Sequence, residues 1–462
     1  MNLRVQVLRG GAYLSLRQGL GMLIGFVGVL LLTRAIGPEA YGLYAACLGV
    51  YAYLFNFGQS GIGVYLIRRE GEVTPEDYHQ AFSLLLLLGI GIGILGFLGL
   101  PLLASWTRLE GFVPVAATIF AGLPLNLLSL PPLAQLERAL NYRKVTLVEL
   151  MGQIAYYLVA LPLAFGGLGV WAAAAGWWCQ LLLTIGLLYK VSGYWPRWYW
   201  DPPRLKTMLS YGLGFSASMW IWQLRSFVNP LIVGRYAGVE AVGFIALAMR
   251  LVESLGFVKG IAWRVSIAAL ARVQDERDRL TKAITDGMHL QVLALGLLFL
   301  GFVLIGPWLL PILLGERWAP VMQIFSFVAL GYLVNALFSL HSSALYVVRR
   351  NWEVAFFHLF HIVLFAGGAL LLVPRLGIIG YGWSEVIALL SYPMIHFQVI
   401  KYVGKPQYFL AGMWALAFAL ALFWQWIGIA AFLPLLGILA YPTTWRTLKG
   451  YWIIVTHGRG SR

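Results

Sequence analysis

Two stretches decide how this chain is read: Arg34-Ala35-Ile36-Gly37-Pro38-Glu39-Ala40-Tyr41-Gly42 and Arg235-Tyr236-Ala237-Gly238-Val239-Glu240-Ala241-Val242-Gly243. Both spell R-x-x-G-x-E-A-x-G, and they stand 201 residues apart. Gly11 and Ser15 match Gly212 and Ser216 at the same offset. A weaker echo links Ala139-Leu140…Arg143-Lys144 with Ala344-Leu345…Arg349-Arg350, with one inserted residue. Self-similarity in one register predicts two copies of one architecture. Each motif follows a long apolar run, so it reads as a turn between helices. Gly37 and Gly238 suit helix C-termini that need a left-handed residue. Glu39 and Glu240 open the next helix, where the dipole favours an anion. A structural turn is the main reading of the motif, and gating is the second.

The composition around the motifs names the solvent. Of 462 residues, 60% are hydrophobic and only 11% are charged, and the mean hydropathy is +0.80. A soluble domain has about 25% charged residues, so this chain cannot cover a water-facing surface and lipid must surround it. The expected fold is all-α and integral to a membrane. About fourteen transmembrane helices are expected, at 11–33, 41–66, 80–104, 111–134, 145–165, 168–189, 209–234, 241–263, 288–314, 321–347, 354–373, 377–400, 408–425 and 427–443. Each comes near the ~20 residues that span a bilayer. The stretch after Arg4 and Arg9 runs to Leu32 without a small-residue cleavage site, so it reads as the first membrane helix and not as a signal peptide. Residues 1–200 and 201–402 are expected to be two six-helix bundles, and 403–462 to add two helices and a tail. Six is even, so the bundles keep one orientation and are related by an axis along the membrane normal.

The formal charge of +15 could suggest nucleic acid, but the positives sort by side of the membrane. The loops on one side hold about 23 Lys and Arg, from Arg4 and Arg9 to Arg459 and Arg462. The other side holds about 5: Arg34, Arg108, Arg235, Arg317 and Arg375. The richer side is cytoplasmic by the positive-inside rule, which places both termini there. The Val191–Thr207 connection carries Trp195, Trp198, Tyr199 and Trp200 and reads as an interfacial linker between the bundles. No nucleic-acid partner is implied.

No catalytic or nucleotide-binding motif is present, and Cys47 and Cys179 both lie in apolar runs. His358 and His361 share a helix face, but such a pair more often packs than ligates a metal. No cofactor or metal is expected. The informative residues are charges within the spans, which cost ~2.5–3.5 kcal/mol at mid-membrane on insertion scales and so tend to line cavities. Arg225 precedes Arg235 by ten residues, and Arg250 follows Glu240 by ten, which puts both ~15 Å below the outer surface. Glu253 lies three residues beyond Arg250, on the same face. A cavity role competes here with a buried ion pair that merely holds the hairpin together. Lys259 and Arg264 fall near the cytoplasmic interface, where long basic side chains snorkel, and would form a cytoplasmic entrance. For Arg17, snorkelling and a cavity role are balanced. Glu385 could titrate as an ion-coupling group, with Glu253 the other candidate.

Leu32–Tyr44, Gln135–Arg143 and Leu209–Ser216 resemble the signatures of the polysaccharide transporter family. That family sits within the multidrug, oligosaccharidyl-lipid and polysaccharide exporter superfamily, and the resemblance covers nearly the whole chain. It implies a non-enzymatic flippase that moves an undecaprenyl-pyrophosphate-linked oligosaccharide from the cytoplasmic to the outer leaflet of the bacterial inner membrane, for surface polysaccharide such as O-antigen or exopolysaccharide. Its partners would be membrane lipid, the lipid-linked oligosaccharide and other polysaccharide assembly proteins. Relatives that flip the peptidoglycan precursor hold pyrophosphate with arginines, a role that Arg225, Arg250 and Arg17 would fit by depth. The rival is an ion-coupled small-molecule or multidrug antiporter of the same superfamily, which would favour acidic groups over the arginine excess found here. A membrane enzyme would need sizeable outer loops, and Gly166–Leu168 and Gly315–Trp318 are tiny. A scaffold would need no buried charges.

Overall fold

The computed structural model describes residues 3–69, 71–257, 259, 276–447 and 449. Among them every regular element is a helix. Eight helices are long and apolar enough to cross a membrane, and nine if one bent pair counts as a single span. That pair, Phe112–Leu127 with Leu130–Arg138, bends by 41° where the expectation was one straight span over 111–134. The cause is proline: Pro124 opens a short helix, and Pro131 and Pro132 open the next, so the ladder cannot run through. The 57-residue helix Leu3–Gln59 contains two of the expected spans, joined at Gly37, whose φ of 78° and ψ of 172° are not helical. Two shorter apolar helices, Phe409–Leu422 and Ile429–Ala440, follow the last long one.

The chain divides into two compact units. The first comprises Met1–Leu247, Leu310–Pro320 and Phe365–Tyr381; the second comprises Ala248–Leu309, Val321–Leu364 and Gly382–Arg462. These units follow packing density and do not coincide with the repeat. Within the second, Leu280, Ile284, Met288, Leu340, Phe357, Tyr392 and Ile395 form a buried cluster. In the first, Leu136, Val145, Val148 and Leu188 do the same on a smaller scale. Large apolar side chains also point outward: Leu98 and Leu102 are each 73% exposed and Ile312 is 72% exposed. In water such a surface would aggregate, so it marks the lipid-facing band of a multi-pass membrane protein.

Within the first unit, the helix segment after Gly37 and the Pro202–Ala237 segment run along each other through glycine contacts. At one end a Cβ on Gly61 would meet Gly212, 2.8 Å from its Cα. Further along, Trp220 Nε1 donates to the Asn56 carbonyl at 3.0 Å, and the Tyr53 and Phe227 rings lie 4.4 Å apart. Ser226 Oγ then donates to the Gly49 carbonyl at 3.3 Å. Beyond that segment Gly42 meets Gly243, which stands on the next helix, Val239–Leu255. Small residues let two backbones approach where lipid offers no hydrophobic drive. Trp424 and its neighbours likewise tie the second unit, with Trp424 Nε1 donating to the Val303 carbonyl at 3.4 Å.

Candidate functional site

The segment that was expected to be one regular helix at 209–234 is not regular. Pro202–Gln223 is α-helical, Leu224–Phe227 tightens to a 3-10 turn, Val228–Val233 widens to a π-helix, and Gly234–Ala237 resumes the α form. Pro230 supplies the reason: it has no N–H to give and its ring crowds the carbonyl four residues back, so the ladder shifts to a wider register. Irregular backbone at membrane depth persists only where protein or water surrounds it, and such breaks recur at functional sites.

Arg225 lies in this break and is half-buried. Its guanidinium carbon is 5.1 Å from the centre of the Phe365 ring and 5.7 Å from that of Trp222. Phe365 is fully buried and packs edge-on against Tyr381 at 5.3 Å. Two aromatic rings therefore flank the cation, attracting it by their negative quadrupoles. Trp222 and Phe365 escaped the sequence reading. Trp222 lies three residues before Arg225, which was the only available signal, whereas Phe365 comes from a distant helix.

Arg250, Glu253 and Lys259 belong to the second unit. Arg250 and Glu253 are exposed on the helix Val239–Leu255. The Glu253 carboxylate accepts from the Tyr332 hydroxyl at 3.5 Å, and Lys259 Nζ lies 4.6 Å from the centre of the same Tyr332 ring. Tyr332 thus bridges an acid and a base that sequence reasoning had kept apart. Glu385 is buried, with one carboxylate oxygen 3.5 Å from where a Cβ on Gly331 would sit. The side chain of Arg17 and all of Arg264 lie outside the described residues. His361 is buried and its Nδ1 hydrogen-bonds with Ser391 Oγ at 2.9 Å. Among the described residues no three His, Cys, Asp or Glu side chains converge as metal ligands would.

The linker is built onto the first unit. Tyr194 is buried and donates to the Tyr78 carbonyl at 3.0 Å; Tyr199 N–H donates to Ser83 Oγ at 3.0 Å, and Asp201 N–H to Gln80 Oε1 at 2.7 Å. Buried Asp77 meets Arg69 at 2.5 Å and Arg204 at 3.2 Å, and this partner raises the Arg69 pKa. Trp195 and Trp198 point outward, 82% and 60% exposed, as interfacial aromatics do.

On the other face the two repeated turns come together. Gly37 and Gly238 share one conformation, φ 78°, ψ 172° and φ 87°, ψ 175°. This is not the left-handed helical residue that was expected but the mirror-extended region, which only glycine enters readily. A Cβ on Gly42 would run into the Val239 carbonyl, and one on Gly243 into the Pro38 carbonyl. A cavity of about 530 Å³ opens beside this contact, with Glu39, Arg108, Glu110 and Arg235 among its lining residues.

The described residues thus form a helical membrane bundle in which one span is broken and carries an arginine. The chain is a member of the polysaccharide biosynthesis protein family, whose model matches residues 31–323. Among its relatives is the succinoglycan biosynthesis transport protein ExoT of Rhizobium meliloti (strain 1021), 24% identical over 316 residues, which are 66% of this chain and 62% of that protein. By fold it is similar to the lipid II flippase MurJ in an inward closed conformation, with a TM-score of 0.68 and 13% identity, covering 94% of this chain and 98% of that one. An inward-facing MATE family multidrug transporter of the MOP superfamily gives a TM-score of 0.64 and 16% identity, over 82% and 95% of the two chains.

Proposed function

We propose that this protein flips an undecaprenyl-pyrophosphate-linked oligosaccharide from the cytoplasmic to the outer leaflet of the bacterial inner membrane. It does so by alternating access, without enzymatic chemistry, for surface polysaccharide assembly. Residues 1–200 and 201–402 form the two rocking bundles, and 403–462 add two helices. Arg225 carries the reading: a cation at an irregular point of a membrane span, steadied by Phe365 and Trp222. A pyrophosphate is a dense anion that arginine binds bidentately, and the name of the relative ExoT is that of a transport protein of polysaccharide synthesis. Arg250 and Arg17 contribute further positive charge to cargo, Lys259 and Arg264 serve the cytoplasmic entrance, and Glu385 and Glu253 are the groups open to ion coupling. Similarity to a MATE transporter keeps the antiporter fold in view, but the arginine excess favours anionic cargo.

The test is export of surface polysaccharide in a deletion strain complemented with variants whose membrane levels are measured. Arg225→Ala abolishes export at normal membrane levels. Arg225→Lys impairs it by about tenfold or more, because lysine lacks the planar fork and loses one good charged hydrogen bond. Normal export by Arg225→Ala would sink the assignment.

A further inference from the structure

The repeated arginines do something the turn alone does not require. Arg34 donates to the Leu313 carbonyl at 3.0 Å and lies 3.4 Å from that of Ile312. Those carbonyls end the helix Arg277–Leu314. Arg235, its counterpart in the repeat, donates to the Trp106 carbonyl at 3.1 Å, at the end of the helix Pro75–Thr107. Each arginine therefore caps the C-terminus of a helix from the opposite sequence half, where the last carbonyls and the helix dipole attract a cation. Trp106 answers by donating its Nε1 to the Leu231 carbonyl at 2.9 Å. Between the two caps lies the reciprocal Gly42–Val239 and Gly243–Pro38 approach. Buried Trp318 completes the seal, with Tyr41 and Phe244 edge-on to it at 5.9 Å each.

We propose that Arg34, Arg235, Gly42 and Gly243 form a two-fold latch that holds the outer side shut and must part to release cargo. The proposal rests on the alternating-access reading above and adds the closing contacts. A turn needs only the positive-φ glycine; it needs neither an arginine that reaches across to a foreign helix end nor a second glycine pressed against the other copy. Both caps are solvent-exposed hydrogen bonds made through one guanidinium nitrogen each. They can break in a thermally driven rocking motion while still favouring the closed state when made. The two act as a pair because rocking about one axis separates both sites together.

The experiment reads the gate without cargo. In a background lacking Cys47 and Cys179, Ala241→Cys places a thiol at a buried position beside the contact. A membrane-impermeant thiol reagent is added to intact cells, and the labelling rate is measured. Arg34→Ala and Arg235→Ala each raise the rate several-fold, the double variant raises it further, and Arg→Lys, which keeps a donor, falls between. Gly42→Ala, which touches neither arginine, raises the rate as well by wedging the contact apart. Unchanged labelling in the double variant and in Gly42→Ala, at normal membrane levels, overturns the latch whatever the cargo is. Raised labelling supports the latch even in a cell whose polysaccharide does not depend on this protein, an outcome that would remove only the flippase reading. Were the arginine variants lost from the membrane, Gly42→Ala labelling at the parental rate would still overturn the proposal.

Discussion

Four glycines of the repeated turns are constrained in two different ways. At Gly37 and Gly238 nothing lies within 4 Å of a would-be Cβ, so space is not the reason for glycine. The backbone is: φ near +80° with ψ near 175° is a conformation that costs other residues about 1–3 kcal/mol. At Gly42 and Gly243 the reverse holds, with ordinary backbone and no room. Gly37→Ala and Gly238→Ala therefore each destabilise by about 1–3 kcal/mol, read as a lower Tm in detergent. Gly412→Ala, on a helix with open space and ordinary backbone, should hold or raise the Tm, since glycine in a helix interior costs about 0.5–1 kcal/mol. Equal losses at all three sites would remove the backbone argument. The repeat alone pointed to a turn glycine, because its spacing from the apolar run is a local signal. It could not separate the two kinds of glycine, since the second kind depends on a backbone carbonyl about 200 residues away.

At the scale of the element, the helices were legible because apolar length is enough to mark them, whereas the irregular positions were legible only in part. Pro124, Pro131 and Pro132 account for the 41° bend, and a closer weighting of those prolines would have broken that span. Pro230 is different: the chain there stays helical but changes from 3-10 to π within ten residues, 224–233. Hydrophobicity does not encode that change. The backbone change sets the direction of Arg225, so its depth was legible in the sequence while its contacts with Phe365 and Trp222 were not. Pro230→Ala restores an N–H and removes the ring, which lets the segment relax towards a regular helix and turns Arg225 away from Phe365. The expected outcome is unchanged or increased thermal stability, since interior proline costs about 3 kcal/mol in a regular helix, together with a loss of export. Retained export with raised stability would mean that the break is incidental to transport.

For the whole molecule, the strongest inference from sequence is orientation, because it sums many charges instead of relying on one. Basic residues crowd one set of loops, and the rule that sorts them concerns short loops like these. The packing adds an independent constraint. The linker segment 194–201 is bound to the start of the helix Pro75–Thr107, while the repeated turns meet at that helix's other end, where Arg235 reaches Trp106. Linker and turns must then lie on opposite faces of the membrane, since a 33-residue helix is longer than the ~20 residues that cross it. From the charge count we propose that the linker side is cytoplasmic. Arg197 and Glu110 are both exposed, one on each face, which makes them matched reporters. In a background lacking Cys47 and Cys179, Glu110→Cys is expected to react with an impermeant reagent on intact cells. Arg197→Cys should react only after the cells are opened. Labelling of Arg197→Cys from outside would invert the orientation and put the repeated turns in the cytoplasm, and the latch would then close the entry side. Labelling of both from outside would mean that the helix Pro75–Thr107 does not cross the membrane, against the packing that places its two ends at different sites.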